Sequence, residues 1–230
     1  MSKSIFITGT DTDVGKTFVT AQLVKALRDK GVYAGYYKAA LSGAYYEEGQ
    51  LIPGDAKAVM DVSGFEEPYE KCVSYTFETA VSPHLAAQIE GQEIKLNKIK
   101  ADYEGLYHKY EYLFVEGSGG IVCPIKATED ELILLEDIIK HLDLSVLVVA
   151  RAGLGTINHT VLTVKYIQSI GIPVRGIVLN EYETGNTLHE DNKKMIERLT
   201  QVEVIASIPK VVEGHEQIQI DTEKLMGLCE

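Results

Sequence analysis

Short apolar runs alternate along the chain with longer stretches in which apolar positions recur every three or four residues. The short runs have the length of strands, and the spacing in the longer stretches is that of helices with one buried face. Strands are predicted at residues 5–8, 32–38, 112–115, 144–150, 174–180 and 204–208. Helices are predicted between them, most clearly at residues 18–30, 129–141, 157–170 and 187–199.

This alternation predicts an α/β fold with a mostly parallel sheet flanked by helices on both faces. The run LSVLVVA at residues 144–150 is apolar at nearly every position, as expected of a strand that is covered on both faces. In open parallel sheets, ligands bind at the carboxyl ends of the strands. Functional residues are therefore expected directly after the predicted strands, and the unusual residues of this chain cluster there.

Length and composition are those of one globular domain. The chain has 230 residues, 45% of them hydrophobic, and no linker or repeat divides it, so a single domain over residues 1–230 is predicted. The net charge of -12 argues against binding to nucleic acid or anionic membranes, because both favour clustered lysine and arginine. The first apolar run is too short for a signal peptide or membrane span, and the cysteines indicate neither disulfides nor a zinc site. A cytoplasmic location is predicted.

The segment between the first strand and the first helix carries the clearest chemical signal. Gly15-Lys16-Thr17 matches the end of the P-loop motif, but the position of that motif's first glycine holds Thr10, and Gly9 comes one residue earlier. In such a loop, backbone N–H groups hold phosphate, the lysine neutralises phosphate oxygens and the threonine binds Mg²⁺. The alternative is a simple strand-to-helix turn with Lys16 and Thr17 in solvent. The position directly after the first strand favours nucleotide binding.

Three more polar residues extend this candidate site. Glu116 ends an apolar run, where P-loop proteins carry a magnesium-binding acid, and the glycine-rich residues 117–120 let backbone approach a phosphate closely. Its alternative is a surface glutamate at a strand end. Asp55 begins a predicted helix, and its position alone favours a helix cap over a metal ligand. Lys38 ends the second strand and is either solvated or a second cation that faces phosphate.

Motifs along almost the whole chain fit one family. They are residues 9–17 (GTDTDVGKT), Tyr37-Lys38 with Ser42-Gly43, 54–56 (GDA), 82–84 (SPH), 115–120 (VEGSGG), 157–159 (INH), 176–180 (GIVLN) and 208–209 (IP). Together they closely resemble the dethiobiotin synthetases, ATP-dependent enzymes of biotin synthesis in the P-loop NTPase superfamily. This family has its own form of the phosphate loop with one more residue, which accounts for Gly9.

The resemblance implies a reaction and its substrates. A dethiobiotin synthetase takes 7,8-diaminononanoate, CO₂ or bicarbonate, and ATP, with Mg²⁺ as cofactor. It closes the ureido ring of dethiobiotin through a carbamate and then a carbamic–phosphoric mixed anhydride, and it releases ADP and phosphate. The family works as a homodimer, in which the partner chain completes each substrate site.

The resemblance also implies roles for individual residues. The expected catalytic residues are Lys16, Lys38 and Thr12. The expected Mg²⁺ ligands are Thr17, Asp55 and Glu116. The nucleotide is expected to contact Asp13, Val14, Gly15, Lys16, Thr17, Asp55, Glu116, Gly117, Ser118, Gly119, Asn180, Pro209, Lys210 and Val211. The substrate is expected to contact Thr12, Lys38, Ser42, Gly153, Leu154 and Asn158, the last three through its far carboxylate.

Three positions depart from the family pattern. Ala39 stands where proline is often found, and Ser118 where alanine is common. Asn192 aligns approximately with a tyrosine that, in some members, contacts the substrate carboxylate from the partner chain. That contact is therefore left open.

Two other classes of P-loop protein are alternatives. A cobyrinate amidase-like synthetase usually carries a glutaminase domain, for which this chain is too short. A ParA/MinD-like switch ATPase places a lysine early in the phosphate loop, where this chain has residues 10–12 (TDT), and its membrane binders add a basic tail. The tail here, residues 218–225, is acidic. Both observations count against a switch.

Overall fold

A computed structural model describes residues 3–210, 218 and 220–228, in which strands and helices alternate along the chain. In chain order the elements are β1 (Lys3–Gly9), α1 (Lys16–Arg28), β2 (Ala34–Ser42), β3 (Tyr45–Glu47), β4 (Gln50–Ile52), α2 (Gly54–Ser63), α3 (Tyr69–Cys72), β5 (Val73–Phe77), α4 (Pro83–Glu90), α5 (Leu96–Tyr107), β6 (Tyr112–Gly120), β7 (Pro124–Ala127), β8 (Leu132–Leu134), α6 (Leu135–His141), β9 (Val146–Arg151), α7 (Thr156–Ser169), β10 (Val174–Asn180), α8 (Thr187–Thr200), β11 (Val204–Ile208) and α9 (Thr222–Leu228). None of the helices in these ranges is both long and apolar enough to cross a membrane.

Seven strands form one sheet in the order β11-β10-β9-β1-β6-β2-β5. Every neighbouring pair is parallel, whereas β3-β4 and β7-β8 are separate antiparallel hairpins. Residues 5–9 of β1 and 146–150 of β9 are all buried. Because successive side chains of a strand point to opposite faces, both faces of the sheet are covered. The predicted α/β fold class is confirmed.

All six predicted strands are present, and β10 and β11 have the predicted bounds. β2 begins two residues later than predicted, because Val32 belongs to the preceding turn and accepts a hydrogen bond from Ala34 N–H at 2.9 Å. The seventh strand, β5, is absent from the prediction. It lies at the edge of the sheet, where the buried residues Val73, Tyr75 and Phe77 alternate with half-buried ones.

The predicted helix at residues 129–141 is wrong in its first half. A turn and the strand β8 come first, and α6 begins only at Leu135. Thr128 closes the turn, because its N–H donates to Glu131 O at 2.9 Å and its hydroxyl accepts from Glu131 N–H at 3.0 Å. Asp137 then accepts from Leu134 N–H at 2.8 Å. Short polar side chains thus bind the backbone locally and delay the helix.

The strand order brings the candidate site residues to one edge of the sheet. β1 runs directly into the phosphate loop, residues 9–17. Glu116 of β6 lies in register with Lys38 of β2 on one side and with Ile7 of β1 on the other. Asn180 is the last residue of β10, two strands away from β1. These residues converge toward the carboxyl-terminal side of the sheet. Lys38 and Glu116, however, lie within β2 and β6, which continue to Ser42 and Gly120, and not at the strand ends as predicted.

Candidate phosphate and metal site

Three side chains hold carbonyl oxygens of the phosphate loop. The bonded pairs are Lys16 Nζ with Asp11 O at 3.0 Å, Arg151 Nη2 with Asp13 O at 2.5 Å, and Asn180 Nδ2 with Val14 O at 3.0 Å. The C=O and N–H groups of a trans peptide unit point in opposite directions. Fixing these carbonyls therefore also fixes the directions of the N–H groups that follow them, which is the kind of backbone arrangement that binds an anion.

Close contacts with neighbouring atoms explain both glycines of this loop. A Cβ on Gly15, which has a φ of 89°, would lie 2.1 Å from Asn180 Nδ2. A Cβ on Gly9 would lie 2.8 Å from both Asp11 O and Val14 Cγ2. Such distances leave no room for a side chain. Glycine is thus needed at position 9, one residue before the place that the general motif assigns to it.

Lys38 lies between the two carboxylates that are predicted to bind Mg²⁺. Its Nζ donates to Asp55 Oδ2 at 2.6 Å and to Glu116 Oε1 at 2.8 Å. Lys38 is 4% exposed and Glu116 is 1% exposed. Lys38 is therefore not a solvated lysine, and Glu116 is not a surface glutamate, which were the alternatives for these two residues.

Thr17 joins the same cluster, because its hydroxyl donates to Glu116 Oε1 at 2.8 Å. Asp55 lies in the first turn of α2, but the described residues show no side-chain capping bond at this helix start. The cap that its position suggests is therefore replaced by the contact with Lys38.

The cluster suits a Mg²⁺ ion. Glu116 Oε2 is buried and makes no hydrogen bond within the described residues, so one carboxylate oxygen lacks a partner. Burial is the main cause that raises the pKa of the neighbouring Tyr36 phenol, and the negative charge of Glu116 is the second. A hydroxyl and two carboxylates are the oxygen donors that Mg²⁺ prefers. Thr17, Asp55 and Glu116 therefore fit the ion.

Electrostatics keep this cluster charged. Burial alone would lower the pKa of Lys38, but Glu116 and then Asp55 outweigh it and raise that pKa well above its usual value. Burial would raise the pKa of Asp55, yet Lys38 outweighs it and lowers that pKa. The pKa of Lys16 is lowered by burial and then by the positive charge of Lys38. Two ammonium groups thus repel each other across the site, and an anion between them would relieve that repulsion.

The glycine-rich residues 117–120 adjoin both lysine segments. Lys38 Nζ approaches Gly117 O at 3.4 Å, and the Ser118 hydroxyl donates to Ala40 O of β2 at 2.6 Å. A Cβ on Gly119 would lie 3.7 Å from Thr12 Oγ1, which places Thr12 beside this segment. Ser42 ends β2, four residues after Lys38.

A cavity of about 930 Å³ extends from the phosphate loop past the ends of β9 and β10. Thr12, Pro209 and Lys210 lie on its wall. Val211 falls outside the described residues. The amide nitrogen of Asn180 donates a hydrogen bond to Val14 O, and within the described residues its amide oxygen accepts none. The second N–H of the amide and its oxygen therefore remain, so this side chain can still both donate to and accept from a nucleobase.

The loop between β9 and α7 borders this cavity and a second groove. Gly153 and Leu154 line the cavity, and Asn158 lines the groove between α7 and α8. Asn192 of α8 is 4% exposed and donates from Nδ2 to Ala152 O at 2.9 Å and to Gly153 O at 3.1 Å. Its amide nitrogen is thus bound within its own chain.

Two of these contacts are not predicted from the sequence. Arg151 directly follows the apolar run of β9, so the rule that functional residues follow strands could have found it. Asn192 lies within a helix of mostly polar residues, and no local pattern distinguishes it from its neighbours. Only the packing of α8 on the 152–155 loop reveals its role.

Comparison with known proteins identifies the family. A family model described as an AAA domain matches residues 3–216. The ATP-dependent dethiobiotin synthetase BioD of Clostridium novyi (strain NT) is 54% identical over 220 residues, which cover 96% of this chain and 92% of that protein. The protein of the same name from Clostridium perfringens (strain 13 / Type A) is 50% identical over 211 residues, which cover 92% of each chain.

Solved structures show the same fold at much lower identity. The ParA family ATPase from Chlorobium tepidum TLS has a TM-score of 0.57 at 13% identity, and the match covers 92% of this chain and 86% of that one. The MinD cell division protein from Aquifex aeolicus has a TM-score of 0.54 at 17% identity, with 91% and 83% covered. These matches establish a P-loop NTPase fold. On the sequence identity to its relatives, the chain belongs to the family of ATP-dependent dethiobiotin synthetases.

Proposed function

We propose that this chain closes the ureido ring of dethiobiotin from 7,8-diaminononanoate, CO₂ and ATP. The names of its relatives support an ATP-dependent synthetase of dethiobiotin. The observation that carries the proposal is the contact of the buried Lys38 ammonium group with Asp55 and Glu116. This group is close enough to Lys16 to lower the pKa of that residue. Two cations at the end of a phosphate loop are suited to hold a carbamate and a γ-phosphate together.

The proposed reaction has three bond-forming steps. One amine of the diamine adds to CO₂ and loses a proton, which gives a carbamate. A carbamate oxygen then attacks the γ-phosphorus of ATP, the bond to the bridging oxygen breaks, and ADP leaves. The second amine attacks the carbonyl carbon of the mixed anhydride, phosphate leaves with the electron pair of the C–O bond, and the nitrogen loses its proton.

Positioning and charge compensation are sufficient for these steps, and no side-chain nucleophile is needed. In the proposed roles, Lys16 and Lys38 bind the carbamate and γ-phosphate oxygens, on which the negative charge changes during the reaction. Thr12 and Ser42 donate hydrogen bonds to the same oxygens. Burial raises the pKa of the Cys72 thiol to about 12, so this thiol stays protonated and unreactive near neutral pH.

Mg²⁺ is proposed to bind at Thr17, Asp55 and Glu116. When bound, the ion would offset negative charge on the β- and γ-phosphate oxygens. Lys38 Nζ contacts one oxygen of each carboxylate, and Glu116 Oε2, which has no partner among the described residues, would remain for the ion.

The adenine of ATP is proposed to lie in the cavity beyond the phosphate loop. Pro209 and Lys210 on its wall would contact the base through backbone groups. The amide oxygen of Asn180 would accept a hydrogen bond from an exocyclic amino group. Guanine has a carbonyl at the corresponding position, which could accept only from the second N–H of this amide.

The far carboxylate of the substrate is proposed to bind the loop of a partner chain in a homodimer. Leu154 in this loop is 92% exposed, and other exposed leucines flank it on α7 and α8. Asn158, at the start of α7, adjoins the same surface. The single-domain organisation and the cytoplasmic location stay predictions from the sequence.

A coupled assay tests the proposed function. Purified protein is incubated with 7,8-diaminononanoate, bicarbonate and MgATP, ADP release is followed, and dethiobiotin is identified by mass. We expect ADP release to depend on the diamine. Protein that binds ATP but shows no turnover stimulated by the diamine would contradict the proposal and favour a switch ATPase.

A further inference from the structure

Asn192 bridges two successive carbonyl groups of the loop between β9 and α7. It lies in the middle of α8 and is 4% exposed. The distances from Nδ2 are 2.9 Å to Ala152 O and 3.1 Å to Gly153 O. Since both partners are acceptors, the NH₂ group must face them, which fixes the orientation of the amide.

This bridge determines where the loop's own N–H groups point. In each trans peptide unit the N–H is directed opposite to the C=O. With Ala152 O and Gly153 O turned toward Asn192, the N–H groups of Gly153 and Leu154 point away from α8. Within the described residues these two N–H groups donate no hydrogen bond, whereas Ala152 N–H binds Asn180 O at 2.9 Å and Thr156 N–H binds Gly153 O at 3.3 Å.

We propose that Asn192 is a positioning residue, which aims the N–H groups of Gly153 and Leu154 at the far carboxylate of the substrate. The proposal rests on the proposed function, because that function assigns the carboxylate to this loop. It also gives Asn192 a role different from a direct contact with the substrate. Its amide nitrogen is buried and bound within its own chain, so it acts through the loop.

The test compares two diamines and two asparagines of the same helix. Asn192→Leu removes the donors at similar volume, and Asn192→Asp keeps the shape but presents oxygens to two carbonyls. Asn186→Ala is the matched control, because Asn186 caps α8 by accepting from Leu188 N–H at 3.1 Å and His189 N–H at 3.4 Å. Steady-state constants are measured with 7,8-diaminononanoate and with 2,3-diaminooctane, the same vicinal diamine without the carboxyl group.

We expect Asn192→Leu to raise KM for 7,8-diaminononanoate about tenfold, the factor that corresponds to loss of one good hydrogen bond to a charged group. KM for ATP, kcat and KM for 2,3-diaminooctane should stay within about twofold of the Asn186→Ala values, because only the carboxylate contact is lost. Asn192→Asp should give the same pattern. The two variants together keep the test decisive if one of them folds poorly.

Three results would overturn the inference. If KM rises equally for both diamines, or if Asn186→Ala gives the same rise, Asn192 only stabilises the fold. The proposed function would still stand in that case, because diamine-dependent turnover is present. If the unmodified protein turns over neither diamine, the proposed function fails, and the role of Asn192 fails with it.

Discussion

Lys38 is the residue on which the charge balance of the site depends. Its ammonium group compensates Glu116, which is 1% exposed, and also contacts Asp55. Removal of one partner from a buried ion pair leaves an uncompensated charge, which typically costs about 3–5 kcal/mol of stability. The same group is proposed to stabilise charge in the transition state, where loss of one contact commonly lowers kcat about 100- to 1000-fold.

Lys38→Met is therefore expected to lower both the free energy of unfolding and kcat, while nucleotide binding persists. MgADP should raise the melting temperature of Lys38→Met more than that of the unmodified protein, because the ion replaces the missing cation. Thermal unfolding with and without MgADP, together with the coupled assay, measures these effects. Lys57→Met is the control, because Lys57 is half-buried and pairs at 3.8 Å with the exposed carboxylates of Glu47 and Asp61; it should behave nearly as the unmodified protein does. Full activity in Lys38→Met would show that Lys38 is only structural.

Gly15 offers a second test at the scale of one residue. Gly15 and Gly31 both have left-handed backbone angles, with φ values of 89° and 79°. A Cβ on Gly31 meets no atom within 4 Å, whereas one on Gly15 would lie 2.1 Å from Asn180 Nδ2. Alanine in a left-handed conformation costs about 1–2 kcal/mol at either position. Only at Gly15 is the phosphate loop also displaced.

We expect Gly15→Ala to abolish ATP binding and Gly31→Ala to retain it, although both lower stability. Isothermal titration with ATP and urea unfolding separate the two effects. Equal ATP affinities for the two variants would mean that the contact between Gly15 and Asn180 does not shape the loop.

At this scale, the sequence predicts which residues meet but not which atoms they bind. Parallel strands run toward the same edge of the sheet, so the convergence of Lys16, Lys38 and Glu116 could be predicted. That Lys38 and Glu116 lie within β2 and β6, and not after them, could not. In the described part of the chain, Asp55 contacts Lys38 and does not cap its helix. This contact depends on the distance between α2 and β2, which no local sequence pattern encodes. The bond between Asn180 and Val14 is likewise a tertiary contact, 166 residues apart along the chain.

Elements differ in how well their patterns predict them. β9 is apolar over residues 146–150 and β10 is apolar over residues 177–179. Both faces of a central strand are buried, and the predicted positions of both strands are nearly right. The edge strand β5 alternates buried and half-buried positions over five residues, too few to stand out from neighbouring turns. The misassigned start of α6 has a similar cause, because hydrogen bonds of the Thr128 and Asp137 side chains decide the local structure there.

The connection between α2 and α3 supplies a prediction at the scale of elements. Glu67 in this connection accepts a hydrogen bond from the Tyr110 hydroxyl at 2.8 Å and pairs with Lys109, both just beyond α5. Burial would raise the pKa of Glu67, but the bonds from Lys109 and Tyr110 outweigh it and lower that pKa. A carboxyl with a lowered pKa in the folded state contributes stability above its unfolded pKa, and this contribution is lost as the pH falls through the folded value.

Glu67→Gln should therefore lower the free energy of unfolding at pH 7. The difference from the unmodified protein should shrink as the pH falls from the ordinary glutamate pKa of about 4.3 through the lowered folded value. Urea unfolding at several pH values measures this difference. Glu66→Gln, at the exposed neighbouring position, should show no such pH dependence. A difference that is constant from pH 7 to pH 3.5 would rule out the ionic contribution of Glu67.

At the scale of the whole molecule, the fold does not determine the chemistry. The ParA and MinD structures share the strand and helix arrangement at 13% and 17% identity. Similarity to the named synthetases is far higher and extends over nearly the whole chain. The features that distinguish this protein from a switch ATPase are therefore expected at Lys38, at the residues around it and on the surface that a second copy would cover.

That surface is the face of α7 and α8 around the 153–155 loop. Leu162 on α7 is 61% exposed, and Leu154 and Leu199 lie beside the same groove. Apolar side chains grouped in this way lose solvent-exposed area when a partner covers them. A charge placed among them would have to be desolvated on association, which opposes a dimer.

Leu162→Glu is therefore expected to shift the protein from dimer to monomer in sedimentation velocity and to raise KM for 7,8-diaminononanoate, since the partner's loop would no longer bind the carboxylate. ATP binding should persist, because the phosphate loop and the proposed metal ligands belong to one chain. Leu132→Glu is the matched control: Leu132 is 60% exposed but lies in the hairpin of β7 and β8, and this change should leave the association state unaltered. If Leu162→Glu remains a dimer with an unchanged KM, the α7–α8 face is not the surface through which two copies complete the site.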